Sequence, residues 1–209
     1  MPGKIVIVDY GMGNLRSVVN AFEYVGAKIK LSGNPTDIKR AKAIVVPGQG
    51  AFRDCMACLQ QNHLAPALTE AVIKQKKPYL GICLGMQILG EKSFEGGEWA
   101  GLGWIKGRVK KIEPKGGLKV PHLGWNEIKI KRETNLWAGI ADKTCFYFAH
   151  SFILIPQDAQ VVIATSDYGG EFPVAIAKDN ITAVQFHPEK SQQVGLSLIS
   201  NFVKQAAQA

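Results

Sequence analysis

Apolar residues follow two different rhythms along this chain. As far as Leu89, short unbroken apolar runs alternate with stretches of helical period. Lys4-Ile5-Val6-Ile7-Val8-Asp9 is the first run, with the continuity expected of a strand buried on both faces of a parallel sheet. Leu15, Val18, Val19, Phe22 and Val25 then mark one helical face, stopped at Gly26. Lys28 to Leu31, Ala43 to Val46 and Pro78 to Ile82 read as further strands, and Phe52 to Leu59 and Leu64 to Lys76 as helices between them. Past Leu89 the rhythm changes to strand-like segments separated by Gly and Pro. These are Leu102 to Ile112, Glu127 to Lys131, Phe146 to Ile155 and Val161 to Thr165. Phe172 to Lys178 and Ile181 to Phe186 flank Asp179-Asn180, a hairpin signal. A last helix is expected over about Val194 to Gln205. The pattern predicts an α/β fold: a mixed, mostly parallel sheet flanked by helices, with a strand-rich C-terminal half. No linker or repeat divides the chain, so one domain spanning 1–209 is expected.

Composition adds exclusions. At 209 residues the chain can bury a full core, and 46% hydrophobic with 20% charged is ordinary for a globular protein. No apolar run approaches the roughly 20 residues needed to cross a bilayer. Met1-Pro2-Gly3-Lys4 leads directly into the first strand, so no membrane association and a cytoplasmic location are expected. Between Trp104 and Arg132 nine Lys or Arg face two Glu, a large share of the formal +8. Lys106, Arg108 and Lys110 alternate as a solvated strand face does, and no aromatic interleaving suggests nucleic acid. Gly11-Met12-Gly13-Asn14 follows a strand, but Arg16 replaces the third glycine of a dinucleotide fingerprint and no acidic residue closes the next strand. The four cysteines form no disulfide framework, and Cys55-x-x-Cys58 on a helix, without a second such pair, reads as structural rather than metal-binding.

The chemistry centres on Gly81-Ile82-Cys83-Leu84-Gly85, where a strand gives way to a helix. This is the cysteine form of the G-x-S-x-G nucleophile elbow. A sharp strand-to-helix turn forces the thiol outward, in a backbone conformation of unfavourable φ/ψ. First-turn N–H groups favour thiolate, and the N–H of Leu84 is placed to stabilise an oxyanion. Pro47-Gly48-Gln49-Gly50 ends the preceding strand, and its two glycines allow a peptide flip that could bring in a second N–H. Such a nucleophile needs an oriented base. Of the four histidines, His63 lies in a polar loop, whereas His187 ends an apolar run and precedes Pro188-Glu189. Glu189 could accept from its far ring nitrogen.

With Gln87 and with Gln185-Phe186 preceding His187, these motifs resemble the class I (triad) glutamine amidotransferases, which have a flavodoxin-like fold. Asp9-Tyr10-Gly11-Met12-Gly13-Asn14-Leu15, Pro121-His122-Leu123-Gly124-Trp125-Asn126, Tyr147-Phe148-Ala149-His150-Ser151-Phe152 and His187-Pro188-Glu189-Lys190-Ser191 resemble, within that family, the glutaminase subunits of imidazole glycerol phosphate synthases. Leu123, Ala149 and Gln49 are mild departures. The resemblance implies that Cys83 attacks the side-chain amide of L-glutamine, with His187 moving the proton and Glu189 orienting it. It places the oxyanion on Leu84 and on Gly48, Gln49 or Gly50. It assigns Gln87 and Glu95 to the substrate, Glu95 facing its α-ammonium, with backbone contacts from Ser151 and Phe152. The ammonia would pass to a (β/α)8-barrel cyclase subunit that makes imidazole glycerol phosphate and AICAR ribonucleotide in histidine biosynthesis. Asn14, Pro121, His122, Trp125, Asn126, Tyr147 and Lys190 match positions of the interface or ammonia gate, although Trp125 and Tyr147 could also be core aromatics. The resemblance implies no metal and no organic cofactor.

Three other readings remain open on sequence. A paralogous glutaminase serving amidation of a surface-polysaccharide sugar could keep every motif. A cysteine hydrolase acting alone on γ-glutamyl compounds, and a non-catalytic protein that has kept the fold, are the others.

Overall fold

The computed structural model describes residues 4–208; Met1 to Gly3, on which the expectation about the chain start rests, lie outside them, as does Ala209. Eight strands form the main sheet: β1 (Ile5–Val8), β2 (Ile29–Ser32), β3 (Ala43–Gly48), β4 (Tyr79–Cys83), and, from the second half, β9 (Lys129–Ile130), β12 (Val162–Asp167), β13 (Glu171–Lys178) and β14 (Ile181–Val184). Their spatial order is β2-β1-β3-β4-β14-β13-β12-β9. The first five pair in parallel and the last three continue antiparallel. The change of rhythm near Leu89 thus marks a change of sheet geometry. It also explains how the two halves of the chain meet: β14 enters beside and parallel to β4 in the middle of the sheet, with Val184 opposite Ile82, so Cys83 and His187 emerge at the C-terminal ends of neighbouring strands.

Each strand of the parallel half divides its side chains between two cores. Ile5 and Ile7 pack on one side with α1 (Leu15–Tyr24) and the last helix, α6 (Gln192–Gln208), through Phe22 and Phe202. Val6 and Val8 face the opposite side, covered by α2 (Pro35–Arg40), α3 (Phe52–Gln61) and α4 (Leu64–Thr69), the last extended by a wider turn over Glu70–Lys74. This two-sided burial is why the runs carry no alternation.

The second half also supplies two smaller sheets. β8 (His122–Glu127) pairs with β10 (Cys145–His150), and β11 (Phe152–Pro156) lies beside β7 (Gly107–Lys111), followed by β5 (Lys92–Ser93) and β6 (Trp99–Ala100). Three expectations change here. Phe146 to Ile155 is two strands in different sheets, breaking at Ser151, which lines the pocket described below. Leu102 to Ile112 is a strand only from Gly107, because the backbone N–H groups of Leu102, Gly103 and Ile105 instead bond the carbonyls of Ile88, Gly90 and Leu89. Those same bonds cut the helix after the elbow to one turn, α5 (Leu84–Gln87), since the carbonyls that would extend it are taken. The N–H groups at the elbow therefore belong to a single helical turn. Helix α2 was not expected. Its signal is Asn34-Pro35-Thr36, where the Asn34 side chain accepts from the Thr36 N–H and Pro35 opens the helix.

Candidate active site

Cys83 sits at the end of β4 with φ 54° and ψ −106°, a positive φ that non-glycine residues seldom adopt. The turn is locked by absent side chains on both flanks. A Cβ on Gly85 would lie 1.8 Å from the Val46 carbonyl oxygen, and one on Gly81 would lie 2.4 Å from that of Gly85. Tyr79 adds a buried hydroxyl donating to the Gly85 carbonyl at 2.8 Å. The elbow is thus held by neighbouring strands, and its strain is offset by their packing.

His187 approaches from the end of the neighbouring strand. Its Nδ1 lies 2.8 Å from Glu189 Oε1, and both side chains are almost fully buried. The turn that presents them is clamped to β10: the His187 N–H donates to the Tyr147 carbonyl, and Ser191 Oγ bridges the His187 carbonyl at 2.7 Å and the Tyr147 N–H at 3.0 Å. Burial pulls the imidazolium of His187 down, but its bonds to Cys83 and Glu189 and their charges raise it to about 10. A charged imidazolium beside the sulfur favours a thiolate–imidazolium pair over two neutral groups.

One cavity of about 380 Å³ collects most of the residues singled out in the sequence. Cys83, Leu84, Gln87, Glu95, Ser151, Phe152 and His187 line it, with Gln49 and Gly50 of the loop after β3 and with Pro121 and Lys190 at its rim. Gly48 lies opposite Cys83 in the β3–β4 ladder, and its loop is anchored by Tyr10, whose buried hydroxyl donates to the Pro47 carbonyl at 2.9 Å. Glu95 accepts from the Phe52 N–H at 2.8 Å, tying the acidic end of the cavity to the start of α3 just past that loop. The Phe152 carbonyl already receives Gln87 Nε2 at 2.9 Å and His150 Nδ1 at 3.0 Å. Its two lone pairs are used, so backbone contact with a ligand falls to the N–H groups of Ser151 and Phe152.

The remaining residues fall into two places. Trp125 is 49% exposed and meets Tyr147 edge-on, with Lys190 Nζ over the Tyr147 ring, so these aromatics are a surface cluster and not core. Pro121 and Leu123 are exposed beside them, and Asn14 is exposed in the loop before α1. His122 is 2% exposed and points inward, against His150, while Asn126 ties its ring to the Asp167 carbonyl. A direct interface contact from the His122 side chain is not available in this arrangement. Cys55 is buried on α3, where desolvation pushes its thiol up to about 12, as suits an inert structural cysteine.

The family model for glutamine amidotransferase class-I matches residues 6–206. The chain belongs to that family. This class-I amidotransferase is 46% identical over 200 residues to imidazole glycerol phosphate synthase subunit HisH 1 of Campylobacter jejuni (strain RM1221), covering 96% of this chain and 99% of that one. It is 49% identical over 204 residues to subunit HisH of Geobacter sulfurreducens, covering 95% and 97%. Among solved structures, a glutamine amidotransferase crystal structure superposes with a TM-score of 0.76 at 18% identity, over 98% of this chain and all of that one. PurLQS from Thermotoga maritima gives 0.74 at 20% identity, over 100% of this chain and 98% of that one. At such identities the likeness is one of fold: the class I amidotransferase α/β fold.

Two residues of this amidotransferase site received no role from the sequence. Gln185 is fully buried and contacts both Cys83 and Gln87, and His150 lines the cavity. Gln185 was detectable in principle, as a polar residue inside the apolar run Ala183-Val184-Gln185-Phe186, where an amide needs partners.

Proposed function

We propose that this chain is the glutaminase subunit of an imidazole glycerol phosphate synthase. It hydrolyses L-glutamine and hands the ammonia to a (β/α)8-barrel cyclase subunit, in a cytoplasmic heterodimer. The observation that carries the chemistry is the convergence of Cys83, a carboxylate-bound His187 and the carboxylate of Glu95 in one cavity. The pathway and partner rest on near-full-length similarity to HisH subunits. Among the described residues no helix is long and apolar enough to cross a membrane.

In this reading the Cys83 thiolate attacks the side-chain amide carbon. The resulting oxyanion is met by the N–H of Leu84 and by one from Gly48-Gln49-Gly50. The His187 imidazolium gives its proton to the amide nitrogen, ammonia leaves, and a γ-glutamyl thioester remains. Neutral His187 then removes a proton from water as it attacks the thioester, and glutamate and the thiolate are released. Glu189 keeps the ring oriented and its charge balanced throughout. With both amide protons of Gln87 committed to Phe152 and Gln185, Gln87 meets a substrate through Oε1, as an acceptor. Trp125, Tyr147 and Lys190, with Pro121 and Asn14, form the face offered to the cyclase. His122 and Asn126 support it from beneath.

Ammonia release from glutamine tests this, measured for the chain alone and with a cyclase barrel and its nucleotide ligand. Strong activation in the complex is expected, with a flip in the Gly48-Gln49-Gly50 loop completing the oxyanion site. Equal activity in both states would overturn the gated synthase and favour a hydrolase acting alone.

A further inference from the structure

The amide of Gln185 lies against Cys83 and Gln87, and the mechanism above gives it no task. It is fully buried, its Nε2 lies 3.5 Å from Cys83 Sγ, and its Oε1 receives Gln87 Nε2 at 3.2 Å. Which end of each amide points where follows from a group that has no choice. The Phe152 carbonyl can only accept, so the atom of Gln87 lying 2.9 Å from it is the NH2 nitrogen. That nitrogen is also the one facing Gln185, so the Gln185 atom opposite it must be the oxygen. The remaining end of Gln185, aimed at the sulfur, is then its NH2. A backbone carbonyl thus dictates, through two side chains, that a hydrogen-bond donor meets the nucleophile.

We propose that Gln185 is a positioning residue for Cys83: its side-chain amide donates to the sulfur, favours the thiolate and fixes the direction from which it attacks. The proposal rests on the glutaminase reading of Cys83 and deepens it. His187 supplies charge to the sulfur from one side, and Gln185 supplies a neutral donor from another, so the thiolate has a second partner both when it attacks and when it is released from the thioester. A donor to the charged form favours ionisation without adding a titrating group. Sulfur held by two donors is also restricted to fewer χ1 rotamers, which narrows the approach to a substrate carbon. The titratable groups beside this sulfur are His187, with Glu189 behind it, and Tyr10 from the loop after β1, while Glu95, His150 and Lys190 line the same cavity. None of them replaces an amide donor at the position of Gln185.

The test is the pH dependence of Cys83 alkylation by iodoacetamide in the full chain, read at the Cys83 peptide by mass spectrometry so that exposed Cys145 does not interfere. Gln185→Met keeps the volume and removes the donor. Gln185→Glu keeps the bond from Gln87 and turns a carboxylate oxygen toward the sulfur. The midpoint should rise by about one pH unit in Gln185→Met, lowering the rate about tenfold at pH values below the wild-type midpoint while leaving the high-pH plateau alone. It should rise further in Gln185→Glu. A folded variant with an unmoved midpoint overturns the proposal, because a space-filling role changes rates or stability without moving the titration. Should both variants fail to fold, the wild-type chain decides. The side-chain amide protons of Gln185 should shift in NMR spectra as Cys83 titrates and be silent in Cys83→Ala, and an unresponsive amide in the wild type overturns the assignment. Alkylation does not depend on turnover, so this result stands apart from the glutaminase reading. That reading fails separately if the wild-type complex releases no ammonia.

Discussion

Two buried histidine sites border the same cavity and have opposite electrical characters. His187 and the pair His122–His150 are all at most 5% exposed. Burial nevertheless lowers His122 to about 4 and His150 to about 3, whereas His187 is raised to about 10. The difference lies in the partners. His187 has a carboxylate at 2.8 Å and a sulfur in front. In the pair, the Phe152 carbonyl requires a proton on His150 Nδ1, which leaves Nε2 to accept from His122 Nδ1 at 3.0 Å, and His122 Nε2 accepts from the Asn126 amide. Every nitrogen is satisfied with both rings neutral, and protonating either would turn two donors toward each other. Depth alone makes a histidine a polar spacer, and it takes an anion at hydrogen-bond distance to make it a proton carrier.

Swapping the two sites in function should therefore be asymmetric. His187→Asn is expected to lower glutamine hydrolysis by the complex about 10⁴-fold, on the scale of losing a catalytic base–acid. His150→Asn keeps a donor toward the Phe152 carbonyl and should stay within about tenfold. Comparable losses in the two variants, measured as ammonia release, would mean that the neutral pair carries protons too.

Next in size is the removal of the anion itself. Glu189→Gln leaves the ring a hydrogen-bond partner but no charge, so His187 should titrate below about 10, with Cys83 still holding it above its neutral counterparts. Hydrolysis is expected to fall about 100-fold, by analogy with loss of an orienting partner behind a catalytic ring. The imidazole NMR titration and the turnover number check the two halves separately. An unchanged titration would show that Cys83 alone holds the proton on His187.

This contrast also separates what the sequence revealed from what it hid. Cys83 and His187 were legible because their chemistry leaves local marks: glycines where a Cβ would strike Val46 and Gly85, and a carboxylate two residues past a strand-end histidine. The parallel half of the fold was legible because two-sided burial leaves unbroken apolar runs. The histidine pair was not legible. His122 and His150 are far apart in the chain, and what joins them is the antiparallel register of β8 and β10, in which they are directly opposed. Cross-strand partnership of this kind has no local sequence signal. Gln185 leaves a local mark, a polar residue in an apolar run, but its task was hidden because both its partners come from elsewhere: Cys83 at the end of β4 and Gln87 on α5. The split of Phe146 to Ile155 between two sheets escaped because one apolar stretch serves both.

The two sites should also shape stability at opposite ends of the pH scale. The folded-state values of His122 and His150 lie below the unfolded value of about 6.5, so the stability they protect is present above that pH and is lost as pH falls toward their folded values. For His187, raised above its unfolded value, the contribution is present below about 6.5 and is lost as pH climbs toward about 10. Urea unfolding of the wild type should show a loss of about 2 kcal/mol per buried neutral histidine between pH 6.5 and 5. His150→Asn should flatten this acid limb and leave the alkaline one intact. An acid limb unchanged in that variant would assign it to the carboxylates.

The smallest effect expected is the most diagnostic of how the pair stays neutral. Asn126 donates to His122 Nε2 at 3.2 Å and to the Asp167 carbonyl at 2.8 Å. Asn126→Ala removes the donor that occupies the lone pair of His122, and should cost about 1 kcal/mol near pH 7. In acid the sign of the comparison reverses. With Nε2 vacated, a proton can enter the ring without displacing a donor, so the folded-state value of His122 should rise toward the unfolded one and the acid limb should become shallower. A variant less stable at pH 7 yet less acid-sensitive would show that neutrality is imposed by saturating every ring nitrogen. A parallel drop at both pH values would leave desolvation as the sole cause, and Asn126 as a strap between β8 and the Asp167 turn.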